Sequence, residues 1–119
     1  MTKAKFVPFD SVERQKKRPG VLLSSLVDEN TGATKIASGV AEFEVGSSAP
    51  MHYHNAEESV IVIEGEGLIM INGEEHIVKP NDAAFISPGA HHSIANHGSQ
   101  PFKICWTYAS IYWSTTSVD

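Results

Sequence analysis

Residues 46–64 read Gly46-Ser-Ser-Ala-Pro-Met-His52-Tyr-His54-Asn-Ala-Glu-Glu58-Ser-Val-Ile-Val-Ile-Glu64, and this stretch decides both the fold class and the chemistry. On a β-strand, residues i and i+2 share a face, with a rise of roughly 3.3 Å per residue. His52 and His54 therefore converge on one side while Tyr53 takes the other. Glu58 has the parity of Val60 and Val62, which carries its carboxylate inward, whereas Glu57 goes with Ser59 and Ile61. Farther along, Ser87-Pro88-Gly89-Ala90-His91-His92 leads to Asn96, and His92 aligns with Ile94 and Asn96. His91 could replace His92 only if a bulge broke the alternation. Three neutral imidazoles and one carboxylate leave a divalent ion with a charge of about +1 and open positions for water, oxygen or substrate. A His-x-His pair alone arises by chance in hairpins; the downstream Glu58 and the Pro-Gly-x-His-His segment turn it into a candidate metal centre of His52, His54, Glu58 and His92.

Around this stretch the chain is punctuated for β structure. Short segments at 36–45, 51–54, 58–64, 67–71, 74–79, 83–87, 91–96 and 101–110 are separated by Gly65-Glu-Gly67, Asn72-Gly73, Pro80-Asn81-Asp82 and Pro88-Gly89. Asn72-Gly73 predicts a tight hairpin because both residues tolerate positive φ. Nothing shows sustained helical periodicity, so the pattern predicts an all-β sandwich or small barrel over 36–119. Residues 1–35 read as a lead-in with one strand, Val21–Val27, and a turn at Asp28–Gly32.

Composition excludes several function classes. The 119 residues suit one domain, and 41% hydrophobic with 19% charged residues is ordinary for a globular chain. A formal net charge of -5 argues against nucleic acid, and the basic run Arg14-Gln-Lys16-Lys17-Arg18 reads as a solvated surface segment. Cys105 is the only cysteine, which excludes an intrachain disulfide and suits a reducing, cytoplasmic home; it is expected as a small core residue or a neighbour of the site. Apolar runs such as Val60–Ile63 are far too short to cross a membrane, and no long apolar segment marks the N-terminus. His76 and His97 read as surface or hydrogen-bonded histidines.

The spacing Gly46-x5-His52-x-His54-x3-Glu58-x6-Gly65 resembles the first motif of the cupin superfamily, and Asn81-Asp82 through Ser87-x-Gly89-x2-His92-x3-Asn96 resembles the second. The resemblance covers roughly residues 38 to 110. It implies a double-stranded β-helix (jelly-roll) barrel open at one end, with His52, His54, Glu58 and His92 holding one divalent transition ion: Fe, Mn, Zn or Ni. Asn81 replaces the usual glycine, which a left-handed turn tolerates, and Ser87 replaces the usual proline. Proteins of this kind include dioxygenases, decarboxylases, isomerases, lyases and polyketide cyclases, and the fold does not choose among them. The expected substrate is a small keto, enol or phenolic chelator held against some of Phe43, Met51, Phe85, Ile94, Trp106 and Tyr108, with Tyr108 as candidate proton donor. The alternative is a non-catalytic module that binds or senses a small molecule. Because Arg14 and Arg18 precede the core and Lys103 should point outward, a neutral substrate is expected rather than an anionic one, unless the N-terminal segment folds over the mouth and brings Arg14 or Arg18 to it. Short barrels of this type also leave apolar edges and faces, so a homodimer is expected, with Val21–Val27 as its contact.

Overall fold

Alternation is the rule that builds this molecule, and β5 (Glu58–Glu64) shows it most plainly: Glu58, Val60 and Val62 are buried while Ser59, Ile61 and Ile63 are exposed. The structure, a computed structural model, describes residues 3–118. The other strands are β1 (Gln15–Arg18), β2 (Val21–Val27), β3 (Ala37–Phe43), β4 (Ser48–His54), β6 (Gly67–Ile71), β7 (Glu74–Val78), β8 (Ala83–Ile86), β9 (His92–Ala95), β10 (Phe102–Tyr108) and β11 (Thr115–Ser117). They form two antiparallel sheets, ordered β1-β2-β3-β10-β5-β8 and β11-β4-β9-β6-β7. From β4 onward the chain alternates between the sheets, with only the β6–β7 hairpin staying in one, and this winding makes the double-stranded β-helix.

The turns obey the residue chemistry. Asn72 and Gly73 adopt φ of 48° and 86°, closing the β6–β7 hairpin with Ile71 opposite Glu74. Asn81 takes φ 77°, the left-handed conformation expected where the family motif has glycine. At the end of β2, Asp28 caps the short 3-10 turn Glu29–Thr31, and Gly32 ends it at φ 98°.

One end of the space between the sheets is filled. Phe102 is fully buried, tilts against Phe43 at 5.9 Å between ring centroids, and lies over Gly67, where any side chain would strike its ring. Along β10 the inner residues then run Ile104, Trp106 and Tyr108, from packed core to open cavity. Among the described residues no helix is long and apolar enough to cross a membrane.

β2 pairs along its length with β3, and on its other side β1 pairs only with Val21, Leu22 and Leu23. Two expectations need correction. Phe85 points away from the cavity and is 64% exposed, because its parity on β8 opposes that of buried Ile86. Cys105 sits half-buried on the outer face, opposite Ile61 on one side and Val40 on the other, and is neither core nor a neighbour of the site. The basic run lies exposed on the surface, as expected, and forms strand β1 paired to β2.

Candidate metal centre

Each sheet supplies part of the site. In one, a register irregularity between Ala49 and His52 on β4 brings His52 directly opposite His92 on β9, and His54 follows at the end of the strand. In the other, Glu58 opens β5 directly opposite Tyr108 on β10. The bend Asn55–Glu57 joins the two, so His54 and Glu58 face each other across the gap between sheets.

The ring nitrogens of His52, His54 and His92 lie within 4.8 Å of one another, and together the three can hold one divalent ion. Their outer nitrogens fix the tautomer. His52 Nδ1 donates to the Pro50 carbonyl at 2.6 Å, His92 Nδ1 to the Ala90 carbonyl at 3.0 Å, and His54 Nδ1 to the Ser114 carbonyl at 3.1 Å and Thr115 Oγ1 at 3.0 Å. A carbonyl can only accept, so each Nδ1 carries the proton and each Nε2 presents a bare lone pair inward. Glu58 Oε1 lies 3.4 Å from His92 Nε2 and 3.5 Å from His54 Nε2, and both Glu58 Oε1 and His92 Nε2 are buried without a hydrogen-bond partner. Acceptors facing one another in a dry interior repel unless a cation lies between them, so this donor set fits a divalent metal.

Protonation agrees. Burial pushes His52 down to about 4, against the raising effect of its bond to Pro50, and the neighbouring imidazoles add to the fall. Burial likewise lowers His54 despite the opposing charge of Glu58. Both rings are held in the neutral form a metal requires. Tyr108, whose hydroxyl is 3.2 Å from His54 Nε2, is pushed well above the ordinary phenol range by burial and then by the Glu58 charge, so it keeps its proton.

The cavity beside the cluster has a volume of about 690 Å³ and includes Phe43, Met51, Ile94, Trp106 and Tyr108 in its wall, as expected, with Trp113 in addition. Trp113 stacks on Tyr108 at 4.3 Å and 16° between planes. It is held there because Asn55 donates to the Tyr112 carbonyl at 3.2 Å and accepts from the Ser114 amide at 2.8 Å. The aromatic pair Tyr112-Trp113 was the signal for this wall, and Thr115-Thr116 the weak signal for β11.

Other histidines stay outside: His91 stacks on Tyr53 on the far side of β4, and His76 and His97 are exposed. Asn96 is structural, donating to the Phe43 and Gln100 carbonyls at 2.9 Å each and accepting from the Gly98 amide. Lys103 points outward as expected, toward Glu42 at 3.4 Å. The expectation of a cavity without cations fails, because Lys17 and Arg18 of β1 line it.

Comparison with known proteins places this geometry. A family model described as the cupin domain matches residues 39–108. The tetracenomycin polyketide synthase protein TcmJ of Streptomyces glaucescens is 29% identical over 82% of this chain, which spans 66% of that protein's length. MJ1618 of Methanocaldococcus jannaschii is 31% identical over 84% of this chain and 82% of its own. Among solved structures, the polyketide cyclase RemF from Streptomyces resistomycificus superposes with a TM-score of 0.86 at 22% identity, covering 98% of this chain and 87% of its own.

Proposed function

The chain belongs to the cupin domain family, and from that premise we propose that it is a metal-dependent enzyme that cyclises or isomerises a small chelating keto, enol or phenolic compound. The observation that carries this reading is the Glu58 carboxylate facing two unprotonated imidazole nitrogens at 3.4–3.5 Å, with the Tyr108 hydroxyl 3.2 Å from that of His54. Dioxygenation is the runner-up, and binding without turnover the alternative. The polyketide names of TcmJ and RemF favour cyclisation.

His52, His54, His92 and Glu58 would hold the ion. When bound, a divalent metal polarises a chelated carbonyl and makes the neighbouring C–H acidic. Tyr108 holds a proton at its hydroxyl, ready for the oxygen that gains charge. Trp106, Trp113 and Ile94 hold the apolar body of the substrate and keep water from the reacting carbons. His54, tied to Ser114 and Thr115, keeps its ring oriented while Tyr108 works. We assign the chain to the cytoplasm and to a homodimer formed through the outer face of the six-stranded sheet.

A linear poly-β-ketone offered to metal-loaded protein tests this, with the aromatic product followed by absorbance. Product formed without oxygen supports cyclisation, and Tyr108→Phe should slow it by about a hundredfold. Oxygen uptake coupled to turnover would transfer the assignment to a dioxygenase. Tight binding with no turnover in either atmosphere would leave a binding module.

A further inference from the structure

We propose that Lys17 and Arg18 form a carboxylate-binding clamp at the mouth of the cavity, so that the substrate is an acid whose carboxylate lies remote from its chelating oxygens. This rests on the metal-chelation reading above and adds the substrate's charge to it. The register of β1 on β2 carries the argument. Gln15 pairs with Leu23, Lys16 with Leu22 and Arg18 with Val21, leaving Lys17 as the extra residue of a bulge. Val21 and Leu23 line the cavity, so Arg18 shares their face. On a regular strand Lys17 and Arg18 would diverge; here both line the cavity, as expected of a bulge that re-aims a side chain.

The pair is also held in place. The turn Pro19-Gly20 that follows it has Gly20 at φ 78°, its carbonyl accepting from the Glu44 amide at 2.9 Å. A side chain at Gly20 would come within 2.7 Å of Ser47, so the turn packs directly on the approach to β4.

Arg14 pairs with Glu42 at 3.1 Å, Lys103 with Glu42 at 3.4 Å and Lys79 with Asp82 at 3.7 Å. Of the cations among the described residues, only Lys17 and Arg18 both lack an ion-pair partner and line the cavity; Lys3, Lys5, Lys16 and Lys35 are likewise unpaired but lie outside its wall. Among the described residues Glu58 is the only carboxylate in the cavity wall, and it is buried among the histidines. In a chain of net charge -5, the mouth of this cavity carries two positive charges with no ion-pair partner among the described residues. A guanidinium beside an ammonium suits a carboxylate, and exposure makes the attraction dependent on salt.

The test uses metal-loaded protein and hydroxamates with alkyl stems of increasing length, each ending in a carboxylate or in the matching primary amide, titrated calorimetrically. At the best stem length the carboxylate should bind about tenfold more tightly than the amide. That preference should shrink at about 0.5 M salt. In Lys17→Ala/Arg18→Ala it should disappear, with the circular dichroism spectrum unchanged, and Arg18→Lys should restore part of it in the Lys17-containing protein. Equal affinities at every stem length, or a preference that survives the double substitution, would overturn the clamp while leaving metal chelation standing. Absence of binding by either series would overturn metal chelation and the clamp with it. A carboxylate preference that persists in His52→Ala/His54→Ala and vanishes in Lys17→Ala/Arg18→Ala would uphold the clamp and remove the metal reading instead.

Discussion

Each imidazole of the cluster is aimed by the proton on its outer nitrogen, and three separate segments supply the acceptors: Pro50, Ala90 and the Ser114–Thr115 pair. Truncating any one ring removes a donor and leaves Glu58 facing the remainder. His52→Ala, His54→Ala and His92→Ala should each lose most of the metal, and Glu58→Gln should weaken its retention, whereas His91→Ala should change little. Elemental analysis after dialysis reads this, and full occupancy in His52→Ala/His54→Ala would refute the cluster as the site. Protons give a second handle. His52 falls from an ordinary 6.5 to about 4 on folding, mainly through burial. Between those values the unfolded chain takes up a proton that the folded ring refuses, so the stability of metal-free protein is fully present above 6.5 and declines as pH falls toward 4. After solvent screening of this half-buried ring the decline is on the order of 2 kcal/mol. Urea midpoints of chelator-treated protein should fall less steeply with pH in His52→Gln than in the parent; identical slopes would assign the effect to another group. The four ligand candidates were legible in the sequence because each follows from strand parity. Lys17 was not, and Arg18 was legible only as part of a segment that could fold over the mouth, since their direction depends on a bulge that parity cannot anticipate.

Strands with an apolar face announced themselves, and those without one did not. β5 and β10 bury every second residue, so their alternation was readable directly. β1 and β11 are exposed along their whole length and are held by pairing alone, which leaves no hydrophobic pattern to detect. Yet β11 completes the site: its Thr115 pairs with His54, and the segment before it carries Trp113. Asn55 is the staple between this segment and the bend joining the two sheets. Asn55→Ala removes both of its bonds and should cost about 1–2 kcal/mol of stability. Because Ser114 and Thr115 also orient His54, metal affinity should fall about tenfold in a chelator competition. Unchanged affinity in a folded Asn55→Ala protein would mean that His54 does not depend on the C-terminal segment for its orientation.

At the scale of the whole molecule, the outer face of the six-stranded sheet is the feature that solvent alone does not explain. Ile61 and Ile63 on β5 and Phe85 on β8 are 45%, 48% and 64% exposed. Pairing of Phe85 with Ser59, Ile61 with Cys105 and Cys105 with Val40 makes one patch across four strands. Glu42 and Lys103 lie side by side on β3 and β10 toward the Phe102 end of the sheet and provide a polar rim. A stable pairing needs about 800 Å² from each partner, close to a tenth of the 7360 Å² this chain exposes. A two-fold axis lets one patch meet its own copy. Contact through this face keeps the cavity free, because inner and outer side chains alternate on the same strands. Sedimentation should show a dimer whose mass is lost on dilution in Ile61→Glu and Phe85→Glu, with metal content unchanged in both. A monomer at every concentration of the parent protein would reject self-association, and a dimer indifferent to both substitutions would move the interface to another surface.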